Sequence, residues 1–68
     1  MATVDVRDML CAQALARVAQ AMARAAQGEA LRILYNADDV RRDLLAWAQE
    51  RRIIAQPDGE ECLRLTHP

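Results

Sequence analysis

The strongest constraint in this chain is an alanine-rich stretch from about Cys11 to Ala26, in which Leu15, Val18, Ala19, Met22 and Ala26 recur at spacings of three or four. Gln13, Arg17, Gln20, Arg24 and Gln27 interleave as a polar side. This pattern is an amphipathic helix whose apolar stripe has to be covered by other parts of the chain. A chain of 68 residues has material for one small domain, so residues 1–68 are read as a single unit. A domain of this size hides only about 60% of the surface its unfolded chain exposes. Any site is therefore expected to be shallow or to lie on an edge.

The flanking segments supply the cover. Thr3-Val4-Asp5-Val6 alternates as a short half-buried strand does. Gln27-Gly28 is placed to stop the helix, with glycine just past the last periodic residue. Ala30 to Tyr35 is a nearly continuous apolar run suited to a central strand. Asn36-Ala37-Asp38-Asp39 offers capping oxygens before a second amphipathic stretch with Val40, Leu44, Trp47 and Ala48 on one face. Ile53 to Gln56, the turn Pro57-Asp58-Gly59-Glu60 and Cys62 to Thr66 form a terminal hairpin. The order β-α-β-α-β-β implies an α+β two-layer sandwich, with both helices on one face of a four-stranded mixed sheet. Leu63 and Leu65 then point toward the helices, which leaves Cys62, Arg64 and Thr66 on an open, solvated face.

Composition excludes several classes. Nine basic residues, all arginine, stand against ten acidic ones spread along the chain. There is no polybasic stripe, and direct nucleic-acid binding is not expected. No apolar run approaches the roughly 20 residues of a membrane span, and Met1 to Asp5 does not resemble a signal peptide, so the cytoplasm is the expected compartment. There Cys11 and Cys62 are expected as free thiols, and with His67 they make too few ligands for a structural zinc site.

Cys11 is the candidate site residue. It falls where the first strand has ended and the first helix begins, and free backbone N–H groups at such a junction favour a thiolate. Arg7 adds electrostatic support, and Asp8 opposes it through like charge. The competing reading is a small buried hydrophobe. Cys62 is read as a semi-exposed strand residue, against a role in resolving a Cys11 persulfide as an internal disulfide. His67 is read as a frayed terminal residue, and Asp38, Asp39 and Asp43 as helix-start charges in preference to an acid–base pair or divalent site. Tyr35 and Trp47 are read as core anchors. Arg41-Arg42 and Arg51-Arg52 bracket the second helix and are read as a solvated helix face, against a modest cationic patch that meets an acidic partner or an RNA backbone.

Val4-Asp5-Val6-Arg7-Asp8-Met9-Leu10-Cys11-Ala12-Gln13-Ala14 resembles the opening of the TusA/SirA-like sulfur carriers, whose pattern is Asp-x-Arg-Gly-Leu-x-Cys-Pro-x-Pro. Gln27-Gly28-Glu29-Ala30-Leu31 is similar to the Gly-Glu before the family's second strand. Ala37-Asp38-Asp39 followed by Asp43-Leu44-Leu45-Ala46-Trp47-Ala48 is similar to its acidic loop and second helix. The resemblance implies the same β-α-β-α-β-β sandwich and a persulfide on Cys11. It further implies transfer of sulfane sulfur from a donor protein, such as a cysteine desulfurase or rhodanese, to an acceptor protein, without metal or organic cofactor. Asp8 replaces the family glycine, and Ala12 and Ala14 replace the two prolines. Alanine keeps the helix propensity but does not fix the first turn, so the helix start is left open between Cys11 and positions before it. Two further readings stand beside the carrier: a non-catalytic interaction or regulatory module on the same fold, and a dithiol redox protein using Cys11 and Cys62.

Overall fold

The N-terminal alternation forms β1 (Ala2–Asp5) in the computed structural model, which describes residues 2–68. The chain continues through α1 (Cys11–Arg24), β2 (Ala30–Leu34), α2 (Asp38–Glu50), β3 (Ile54–Pro57) and β4 (Cys62–Thr66). The architecture is the expected two-layer α+β sandwich, with two helices over a four-stranded mixed open sheet.

The strand order is β1-β2-β4-β3. β1 pairs parallel with β2, placing Val4 beside Ile33, while β4 runs antiparallel to both β2 and β3. The hairpin strand β4 thus inserts between β2 and β3. Pro57 closes β3, an edge position that tolerates a residue without a backbone donor.

One layer of side chains joins sheet and helices. Val4, Val6, Leu31, Ile33, Leu63 and Leu65 project from the sheet against Ala14, Val18 and Met22 of α1 and Val40, Leu44 and Ala48 of α2. Both helical triplets are spaced by four, the stripe a straight helix turns toward a flat partner. Tyr35 is buried with them, as expected of a core anchor. Trp47 is only partly buried, and the Arg51 guanidinium lies 5.6 Å from its ring centroid.

Two local expectations are corrected. Gly28 does not terminate α1 directly: the helix ends at Arg24 with Ala25 extended, and Gly28 serves the following turn at φ 84°. The Glu29 carboxylate accepts from the Ala26 amide at 2.9 Å and closes that turn. His67 is not frayed. Its amide donates to Glu29 O at 2.9 Å and its carbonyl accepts from Gly28 N at 3.0 Å, so backbone pairing continues past β4.

Candidate functional site

The β1–α1 loop is held at each step by a hydrogen bond. Val6 N donates to Leu34 O at 2.9 Å, extending the parallel pairing beyond β1. The Asp5 carboxylate accepts from the Arg7 backbone amide at 3.0 Å and from its guanidinium at 3.0 and 2.8 Å. This pairing lowers the Asp5 pKa to about 2. Arg7 is thereby turned onto Asp5, while the largest causes of the shift at the thiol are carboxylates and partial burial. Its hydrogen bonds to Asp5 brace the loop that leads to Cys11.

Asp8 stands where the resembling motif has glycine, and its φ of 64° explains the preference. The left-handed region is strained for residues with a Cβ, and Asp and Asn are among those that enter it most readily. Here Asn36 compensates: its Oδ1 accepts from Asp8 N at 3.0 Å, and its Nδ2 donates to Asp8 Oδ1 at 2.8 Å. Asn36 therefore clamps the loop beside Cys11 instead of capping α2, whose N-cap residue is Ala37.

Leu10, extended at ψ 155°, is the N-cap of α1, and the helix begins at Cys11. Gln13 Oε1 accepts from Leu10 N at 3.2 Å, and Ala14 N donates to Leu10 O at 2.9 Å. A side-chain bond from the third helical position thus sets the boundary that proline sets in the resembling motif. Ala14 is fully buried.

Cys11 is half-buried, its side chain packed against the core and its neighbour Leu10 73% exposed. The thiol pKa is not lowered, as the helix start alone would have it; it is pushed up from 9.0 to about 11. The Asp43 carboxylate is the first cause, drawing the thiol hydrogen toward itself; partial burial comes second, and the negative charges of Asp39 and Asp43 add to both. Asp39 also accepts from Val40 N at 2.8 Å. The two carboxylates read as helix-start charges are therefore also the electrostatic neighbours of the thiol. The signal that points to them is the β-α-β-α order: parallel neighbours β1 and β2 end at the same edge of the sheet, so the helices following them start side by side. Among the described residues, no three His, Cys, Asp or Glu side chains are arranged to hold a metal ion.

Cys62 is corrected from semi-exposed to buried, at 2% exposure. It alternates with Leu63 and Leu65, so it lies on the sheet face away from the helices and outside the core cluster. Both thiols are free. Cys62 thus lies on the sheet face away from the helix layer that carries Cys11.

The fold and this site define a class: a small two-layer α+β protein that presents one partly exposed thiol at the start of a helix. A family model described as Sulfurtransferase TusA matches residues 2–61, and the chain belongs to that family. Sulfur carriage, in relay with other proteins, is the role this membership supports. No curated protein matches the chain. No solved structure does so either. No helix among the described residues is long and apolar enough to cross a membrane.

Proposed function

We propose that this protein carries sulfane sulfur as a persulfide on Cys11, receiving it from a donor protein and passing it to an acceptor protein in the cytoplasm. The observation that carries this reading is the family match across residues 2–61, with the motif cysteine at the first position of α1 and partly exposed. In the loading step Cys11 gives up its proton and its sulfur attacks the terminal sulfur of a donor persulfide, R–S–SH. The donor's sulfur–sulfur bond breaks, one forms at Cys11, and the donor thiolate leaves and takes up the proton. Unloading repeats the exchange with an acceptor thiol as nucleophile. No oxidant or reductant is consumed.

The raised thiol pKa gives this carrier a particular resting state. At neutral pH, with a pKa of about 11, about one Cys11 in ten thousand is thiolate. The free protein is thus guarded against adventitious thiol chemistry. A donor that brings a cation beside Asp43 and Asp39 releases the sulfur for attack by cancelling the charge that holds its proton. Exposed Leu10 next to the thiol supplies an apolar contact for that partner.

The same pKa favours a second reading, a non-catalytic interaction module in which Cys11 is a packing residue. Intact-protein mass spectrometry separates the two. Wild type, Cys11→Ala and Cys62→Ala are incubated with a persulfidated cysteine desulfurase or rhodanese, then with reductant. The carrier reading expects a reductant-sensitive gain of one sulfur atom, lost only in Cys11→Ala. Absence of any Cys11-dependent gain with both donors sinks it and leaves the interaction module.

A further inference from the structure

The sheet face away from the helices carries a row of polar side chains in register across all four strands. Thr3 pairs with Arg32, Arg32 with Arg64, and Arg64 with Gln56. Two guanidiniums are thereby placed directly opposite each other on β2 and β4, an arrangement that destabilises an antiparallel pair unless a counter-charge intervenes. The counter-charge is Asp58 from the hairpin turn: its Oδ2 lies 3.1 Å from Arg32 Nε and 3.5 Å from Arg64 Nη2. One carboxylate serves two cations, so the cluster keeps a net positive charge.

Its hydrogen-bonding capacity is also unfilled. Each guanidinium has five N–H donors and no acceptor, while the Arg64 Nε is buried with no hydrogen-bond partner. Both arginine side chains remain over two-fifths exposed. Ile54, paired with Thr66 in the next row of the same face, is 57% exposed. Arginine is enriched at protein-docking surfaces, and Ile54 adds an exposed apolar contact beside the pair.

We propose that this open sheet face, centred on Arg32 and Arg64, docks an acidic segment of a partner protein, whose carboxylate completes the arginine pair while an apolar side chain covers Ile54. Asp58 already shows which chemistry the two guanidiniums accept. The surface lies on the opposite side of the sheet from the layer holding Cys11, so a partner held there leaves the thiol free to meet another.

The test is an NMR titration of the full chain with a capped Glu-Glu-Leu-Glu-Glu peptide, following the arginine Nε–H signals and the Ile54 methyls. An all-lysine peptide and sodium phosphate serve as separate arms. The expected result is saturable shifts at Arg32, Arg64 and Ile54 with the acidic peptide alone. Arg32→Gln/Arg64→Gln, shown to be folded by its unfolding curve, should weaken binding about tenfold. Asp58→Asn provides the opposite sign: removing the internal carboxylate should tighten peptide binding about threefold. Weaker or unchanged binding in Asp58→Asn would make the cluster a structural staple of the hairpin and overturn the proposal. So would phosphate matching the peptide, or shifts confined to arginines of the helices.

Discussion

At the Cys11 sulfur two fields act in opposite directions. The free N–H groups at the start of α1 favour a thiolate, while Asp43 and Asp39 across the helix pair favour the thiol; the carboxylates prevail and push the pKa to about 11. Asp43→Asn removes the first cause, so the alkylation-rate midpoint of Cys11 should fall from about 11 toward 9.0; a midpoint that stays in place would remove Asp43 from the account. The folded protein holds this proton more tightly than the unfolded chain does. The associated stabilisation is therefore complete below pH 9.0 and is lost as pH rises through about 11. Cys11 itself was legible in the sequence, because a strand–helix junction is visible in the change of period. The sign of its pKa shift was not, because the deciding charges lie on a helix about thirty residues farther along the chain.

The start of α1 shows what one element needs when a motif has drifted. Without the family prolines, Gln13 bonds the Leu10 amide and Asn36 clamps Asp8, so the boundary stays at Cys11. Ala12 and Ala14 are not equivalent. Ala12 is exposed in the first turn, where the N–H has no helical partner, whereas Ala14 is buried and donates to Leu10 O. Ala12→Pro is expected to stay within about 1 kcal/mol of wild type. Ala14→Pro should lose about 3 kcal/mol by removing that bond. Urea unfolding of both variants checks this, and equal losses would contradict the assigned start. The element types and the Cys62–Thr66 strand were readable from periodicity. The early end of α1 at Arg24 was not, because the Glu29 side chain and the His67 backbone pairing that organise the turn come from later in the chain.

For the whole molecule, stability rests on one apolar layer between helices and sheet. A domain of this length has roughly 3–10 kcal/mol of net stability, and truncating a fully buried leucine costs about 2–5 kcal/mol. Leu63, with no exposed surface, sits on the strand that β2 and β3 flank. Leu63→Ala is expected to lower the urea midpoint sharply, leaving much of the population unfolded at low denaturant; a small shift would mean the core collapses around the loss. The sequence by itself determined the six elements, most of their apolar faces and the position of Cys11, because these depend on spacing along the chain; on α1 it missed buried Ala14 and counted Ala26, which is exposed beyond the helix end. Only the tertiary structure decided that β4 inserts between β2 and β3, that Arg7 turns to Asp5 and Asn36 to Asp8, that Asp43 faces the thiol, and that Arg32 meets Arg64. Those are juxtapositions across strands and between helices, fixed by register and packing, which local periodicity does not encode.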